Sequence, residues 1–223
     1  DPACGDGELL AAIGSASGGA ISLVGVDRDA SAVNHARTRL EDVDCSFELL
    51  NADFLDVASG QLDLFASVDA APLAARGALE GRFDAVISNP PYVRTQVLGA
   101  ETARSLAQRF DLSGRVDLYQ AFVKAMTPCL RDGGVLGLLC SNRFLAVQSG
   151  EALRELLARE YELCEIFDLG DTKLFKAAVL PAIVIARRVS RRPAVPCSFT
   201  RVYTYTGLDI AKASSDSIVQ ALE

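Results

Sequence analysis

Asp1-Pro2-Ala3-Cys4-Gly5-Asp6-Gly7 runs directly into the apolar stretch Glu8-Leu9-Leu10-Ala11-Ala12-Ile13. Gly5 and Gly7 permit a tight turn and let a ligand approach the backbone closely. The stretch that follows predicts a helix over 7–14, whose free N–H groups favour an anionic or carboxylate-bearing ligand. Next comes a buried strand, Ala20-Ile21-Ser22-Leu23-Val24-Gly25-Val26, ending in Asp27. An acidic residue about 20 positions after a glycine-rich first turn is placed to bind ribose hydroxyls. Asp27 is equally a candidate N-cap for a helix over 29–40. A further strand, Ser46-Phe47-Glu48-Leu49-Leu50, ends in Asn51-Ala52-Asp53-Phe54. There a carboxylate can accept from an adenine amino group and an aromatic ring can pack on the base, although Asp53 could also cap a loop.

Strand and helix patterns alternate along the rest of the chain, which implies a mostly parallel, doubly wound α/β sheet with right-handed crossovers. Helices are expected at 101–110, 117–130 and 148–160, and strands at 84–88, 134–140, 163–168 and 182–188. Arg131-Asp132-Gly133-Gly134 reads as a helix stop and a tight turn into a buried strand. Residues 55–83 form an insert rich in Ala and Gly, with a surface helix around 72–79. From 189 the character changes: Arg191-Arg192-Pro193-Ala194-Val195-Pro196 looks like a linker, followed by a short strand at 198–204 and a helix at 209–222.

At the end of the strand 84–88 stands Asn89-Pro90-Pro91-Tyr92. Two consecutive prolines continue neither a sheet ladder nor a helix, so Pro90 and Pro91 fix a stiff turn. That turn gathers the Asn89 amide oxygen, the Pro90 carbonyl and the face of the Tyr92 ring, a set suited to gripping a planar amino group. A proline-stiffened loop with a surface tyrosine is the bland alternative.

Taken in order, DPACGDG, GVD, NADF and NPPY resemble the motif series of S-adenosylmethionine-dependent amino-methyltransferases. Among these the chain most resembles the gamma-class DNA adenine-N6 methyltransferases, including those fused in type IIG restriction-modification enzymes. Gly114–Phe122, Leu130–Gly137, Cys140–Leu145, Phe167–Gly170 and Leu174–Ala177 extend the likeness over about residues 1–188. The resemblance implies a Rossmann-like methyltransferase domain over 1–188 with its last strand antiparallel, and a linker or the start of a target-recognition segment over 189–223. It implies S-adenosylmethionine as cofactor, with Asp1, Ala3, Gly5 and Gly7 around its methionine portion. Asp27 would hold the ribose, Arg28 would stand beside the adenine, Asp53 would meet the adenine amino group and Phe54 its ring. It further implies double-stranded DNA as partner, an adenine flipped out of the duplex, acceptance of its N6 hydrogens by Asn89 and Pro90, and stacking on Tyr92 from one side and Phe175 from the other. In the resembled family a strand precedes the first motif and a recognition domain follows the core. The expectation is therefore a piece of a longer enzyme, with its first strand missing from this chain, poorly stable in isolation, and with a separate or fused specificity domain or nuclease.

Composition agrees with a globular domain: 223 residues, 50% hydrophobic and 23% charged. No run is long enough to span a bilayer and no signal peptide is visible, so a cytoplasmic location is expected. The six cysteines lack CxxC spacing and read as small core residues. His35 is the only histidine and falls on no motif, which argues against Ser-His-Asp chemistry and a His-based metal site; no metal is expected. Net charge is −7, unevenly spread: residues 1–92 hold 15 acidic and 5 basic residues, whereas the remainder is +3. That polarity suits DNA over the NPPY edge, and solvated charge explains it as well. Arg187-Arg188 and Arg191-Arg192 are the densest basic cluster and read as a solubilised strand end more than a phosphate contact. The same NPPY turn occurs in enzymes that methylate a release-factor glutamine, and a related one in RNA guanine-N2 methyltransferases. An inert remnant is the non-enzyme alternative.

Overall fold

The computed structural model describes residues 1–18, 21–60, 79–92, 99–112, 117–170, 180–189 and 196–202. In chain order these form α1 (Glu8–Ala16), β1 (Ser22–Asp27), α2 (Ala30–Glu41), β2 (Ser46–Asn51), α3 (Phe54–Ser59) and β3 (Phe83–Ser88). There follow α4 (Ala100–Arg109), α5 (Leu118–Met126), β4 (Leu130–Ser141), α6 (Glu151–Glu160), β5 (Tyr161–Asp168), β6 (Pro181–Arg188) and β7 (Ser198–Arg201). The helices expected around 72–79 and 209–222 lie outside the described residues, as does Phe175.

β4 and β6 alternate buried with partly exposed positions, whereas β7 at the sheet edge is largely exposed. β1 and β2 pair in parallel, and a second, five-stranded sheet has the order β3-β4-β6-β5-β7. β3 is parallel to β4, whereas β6 inserts antiparallel between β4 and β5. The last strand of the expected core is thus antiparallel. β7 then adds to the outside of β5 in parallel, so Ser198–Arg201 belongs to the same sheet as the strands before 188. Among the described residues no hydrogen-bonded ladder joins β1 to β3; an apolar slot of about 40 Å³ lies between them, walled by Val24, Val26, Leu50, Phe83 and Val86.

Packing across β4 and β6 explains why β6 fits there. Leu136, Leu138 and Cys140 face the interior with no exposed surface. They sit opposite Ala186, Val184 and Ala182, which are also fully buried. Long side chains on one strand meet short ones on the next, and each buried leucine contributes roughly 1.5–3 kcal/mol. α5 supplies the other half of the core: seven of its residues from Leu118 to Val123 and at Ala125 and Met126 are apolar and buried.

Two boundaries differ from the sequence expectation. α5 stops at Met126 and tightens into a 3₁₀ turn over Thr127–Cys129, because Pro128 has no N–H to continue the helical ladder. Thr127 takes the strain of that end: its hydroxyl donates to the Val123 carbonyl at 2.8 Å and accepts from the Tyr161 hydroxyl at 2.9 Å. Arg131–Gly134 is not a turn ahead of the strand but an irregularity inside β4. Phe83 pairs with Leu130 and Ala85 with Val135, so extra β4 residues bulge out opposite β3.

Gly25 marks a tight seam where β1 meets α1, β2 and the first turn. A Cβ there would meet Leu49 Cδ2 at 2.6 Å, Leu10 Cδ1 at 2.8 Å and Cys4 Sγ at 3.0 Å. Gly25→Ala is predicted to destabilise the fold by about 1–3 kcal/mol through overpacking, read as a lower denaturant midpoint at unchanged slope.

Candidate active site

The first turn is built by its glycines. Gly7 caps α1 with φ 82°, and a Cβ on it would stand 3.0 Å from the Ala36 Cβ of α2, so it brings the two helices together. Gly5 has φ 52°, and a Cβ on it would meet nothing within 4 Å, which leaves room at the backbone for a ligand. The Asp1 carboxylate closes the turn by accepting from the Ala3 N–H at 3.0 Å.

Asp27, at the end of β1, holds that turn in place. Its Oδ2 accepts from the Gly5 N–H at 2.9 Å and its Oδ1 from the Asp29 N–H at 2.9 Å. The N-cap of α2 is Asp29, which accepts from the Ser31 and Ala32 N–H groups. Asp27 is therefore not the helix cap that its position allowed, and each of its oxygens keeps a lone pair for another donor. Asp53 does cap α3, accepting from the Leu55 N–H through Oδ1 at 2.8 Å. One carboxylate oxygen of Asp53 stays open. Phe54 is buried and packs on Phe122 of α5, with ring centroids 5.6 Å apart.

These segments line one cleft of about 370 Å³, within the size range of small-molecule sites. Ala3, Asp27, Arg28, Asp53, Phe54, Asn89 and Pro91 all contribute to its wall. Acidic acceptors, an open backbone turn and an apolar ring side fit a nucleoside carrying a charged tail, so the residues present fit the implied cofactor. Asp1, Gly5, Gly7, Pro90 and Tyr92 do not line the cleft directly.

Tyr92 sits against the asparagine. Its hydroxyl lies 2.7 Å from Asn89 Oδ1 and 3.1 Å from the Leu139 carbonyl, so its single proton serves one acceptor at a time. Burial pushes the phenol far above its usual range, and Cys140 adds to the rise. Tyr92 is a neutral donor at any physiological pH. Cys4 and Cys140 are likewise pushed up by burial and are inert thiols; all six cysteines are free. His35 is exposed on α2, and among the described residues no group of acidic, cysteine or histidine side chains could hold a metal.

The opposite wall was not legible from motifs. Thr102, Ser105, Leu106 and Arg109 line the cleft from one face of α4, at the i, i+3, i+4, i+7 spacing of a helix stripe. Arg109 anchors that wall to α3. Its guanidinium donates to the Leu55 carbonyl, to Asp56 Oδ1 at 2.6 Å and to Ser59 Oγ at 2.6 Å. A second unanticipated group is Asp168, at the end of β5. Burial works against its charge, but donors from Asn142, the Gly170 N–H and Arg201 outweigh that and hold the carboxyl below its usual range. Phe144, read from sequence as core, is 2% exposed.

A model of the Eco57I restriction-modification methylase family matches residues 22–175. The type II methyltransferase M.BanIII of Aneurinibacillus aneurinilyticus is 43% identical over 216 residues, covering 92% of this chain and 36% of that protein. The chain thus spans about a third of the length of that relative. Among solved structures, a class I S-adenosylmethionine-dependent methyltransferase from Listeria monocytogenes superposes with a TM-score of 0.65 at 19% identity, covering 93% of this chain and 58% of the other. A DrdV–DNA complex superposes at 0.63 and 15% identity, covering 91% and 24%. At these identities the two structures speak for a shared fold, the Rossmann-like methyltransferase fold.

Replacing Arg109 by Met removes the tie between α3 and α4. Amide hydrogen exchange over 54–59 and 100–109 is predicted to accelerate by about tenfold, the scale of one hydrogen bond to a charged group, with β4 and β6 unaffected.

Proposed function

The chain belongs to the Eco57I restriction-modification methylase family, and on that footing we propose that it is the catalytic core of a site-specific DNA methyltransferase acting on N6 of adenine. The observation that carries the proposal is that Asp27, Asp53 and Asn89 line one cleft. The methyltransferase domain takes in residues 1–188 together with β7, which extends its sheet, and the chain after β7 leads toward a further segment that serves target recognition. The protein works on chromosomal DNA in the cytoplasm, beside a specificity domain or nuclease that is fused or separate. Among the described residues, no helix is long and apolar enough to cross a membrane.

S-adenosylmethionine, when bound, supplies a methyl group on an electron-poor sulfonium. Asp27 would accept from its ribose hydroxyls, Arg28 would stand beside its adenine, Asp53 would accept from the adenine amino group, and Phe54 would give that ring an apolar side. Asp1, Ala3, Gly5 and Gly7 frame the methionine end, next to the N-terminus of α1.

The target adenine hides its N6 inside a duplex, so it is turned out before reaction. Asn89 Oδ1 and the Pro90 carbonyl accept its two N6 hydrogens, and Pro91 keeps the turn stiff. The acceptors draw the nitrogen lone pair out of conjugation with the ring and aim it along the line of displacement. Tyr92 fixes the amide: donating to Asn89 Oδ1, its hydroxyl leaves the second lone pair of that oxygen for the substrate and prevents the amide from presenting its NH₂. The Tyr92 ring stacks on one face of the base and Phe175 on the other. No histidine or other strong base is needed before attack. Positioning and electrostatics lower the barrier.

The test is label transfer from methyl-labelled S-adenosylmethionine to unmethylated bacterial genomic DNA by the full-length protein. Asn89→Ala is predicted to lose at least about 100-fold in rate while still binding cofactor. Tyr92→Ala loses one aromatic stack, about 1–3 kcal/mol, or roughly 5- to 150-fold. Transfer to a release factor or to RNA in place of DNA would overturn the substrate assignment, and an Asn89→Ala protein of normal rate would overturn the mechanism.

A further inference from the structure

α3 is six residues long, and a helix that short does not hold its shape through its own hydrogen bonds. It nevertheless carries Asp53 at its N-cap and Phe54 at its first position, and both line the cleft. The first turn aims the Asp53 carboxylate. Oδ1 accepts from the Leu55 N–H at 2.8 Å, and the Asp53 carbonyl accepts from the Asp56 and Val57 N–H groups at 3.1 Å each. Whatever fastens this turn therefore sets the direction of the Asp53 oxygen that stays open.

Arg109 of α4 fastens it. Its Nη2 is within hydrogen-bond reach of the Leu55 carbonyl, of Asp56 Oδ1 at 2.6 Å and of Ser59 Oγ at 2.6 Å, and its Nε donates to Ser59 Oγ at 3.0 Å. One planar head thus grips the short helix at its start, its first turn and its last residue. The Arg109 side chain is 17% exposed, so these bonds are largely shielded from water, although the more open Asp56 weakens the ion-pair part by screening. Leu55 is the junction. Its N–H holds Asp53 Oδ1, and its carbonyl is held by Arg109. Phe54, between them, is buried against Phe122.

We propose that Arg109 is a positioning residue for recognition of the cofactor's adenine amino group: by gripping Leu55, Asp56 and Ser59 it fixes the first turn of α3 and with it the open oxygen of Asp53. The proposal rests on the methyl-transfer reading, under which Asp53 accepts from that amino group. Arg109 acts through α3 and not by contact with the adenine. Losing it blurs discrimination at the amino group. Asp27 and the glycine turn, bonded to each other through the Gly5 N–H, keep their geometry and continue to bind the rest of the ligand.

The experiment titrates two ligands into the full-length protein by calorimetry: S-adenosylhomocysteine, and its deaminated form S-inosylhomocysteine, in which a carbonyl replaces the amino group. The unsubstituted protein is expected to prefer S-adenosylhomocysteine by at least about tenfold, the scale of one hydrogen bond to a charged group. Arg109→Met is expected to reduce that preference to about threefold or less while binding S-inosylhomocysteine within about threefold of the unsubstituted protein. Ser59 is not part of the cleft wall, so Ser59→Ala loosens the grip without touching ligand or arginine. It is expected to lower the preference by about two- to fivefold. In an Asp53→Ala background, Arg109→Met is expected to lower the preference no further, because both changes act on one contact. A full preference in either Arg109→Met or Ser59→Ala overturns the proposal. Equal weakening of both ligands also overturns it, since that marks a role in stability alone. A further loss of preference in the double variant overturns the route through Asp53. If the unsubstituted protein binds both ligands equally, the role given to Asp53 fails and the proposal falls with it; if it binds neither, the methyl-transfer reading itself fails.

Discussion

A single carboxylate, Asp27, ties the cofactor half of the site together. Its two oxygens accept from the N–H groups of Gly5 and Asp29, and its own carbonyl accepts from the Ala52 N–H at 3.0 Å and from Asn51 Nδ2 at 3.1 Å. The glycine turn, the start of α2 and the loop that delivers Asp53 are thus fixed to one residue at the end of β1. Bonds to an ionised acceptor are stronger than neutral ones, so the arrangement is stiff as well as compact. The assignment of Asp29 as helix cap matters here, because it spares Asp27 from satisfying the helix and leaves its remaining lone pairs facing the cleft.

The second half of the site depends on stiffness of a different origin. Pro90 and Pro91 prevent the chain from leaving β3 in a helix or a further strand, and Tyr92 folds back so that its hydroxyl reaches Asn89 and the β4 backbone. Burial of the phenol keeps it protonated. The chemistry proposed for such a site draws its rate from acceptors already in place.

Much of this was readable from sequence because the fold places chemistry where strands end. Each of β1, β2 and β3 finishes in a short polar signature, and the hydrophobic run before it fixes the direction in which that signature points. What escaped the reading has physical reasons. The wall made by Thr102, Ser105, Leu106 and Arg109 carries no motif, since a helix face lining a cleft looks like any amphipathic face until the partner helix is known; the 3.6-residue stripe was present but silent about what it faced. The bulge over Arg131–Gly134 looked like a turn because two adjacent glycines serve both purposes. Asp168 lay inside a stretch noted only for likeness, and its partners Asn142 and Arg201 are 26 and 33 residues away. Such long-range pairings leave no local periodicity.

The most direct test of the account is the identity of the modified nucleoside. Unmethylated bacterial DNA, treated with the full-length protein and methyl-labelled S-adenosylmethionine, is digested to nucleosides and separated by chromatography with mass detection. The account predicts label in N6-methyldeoxyadenosine and in no other nucleoside. Label in a methylated cytosine, or label confined to protein or RNA, would contradict it.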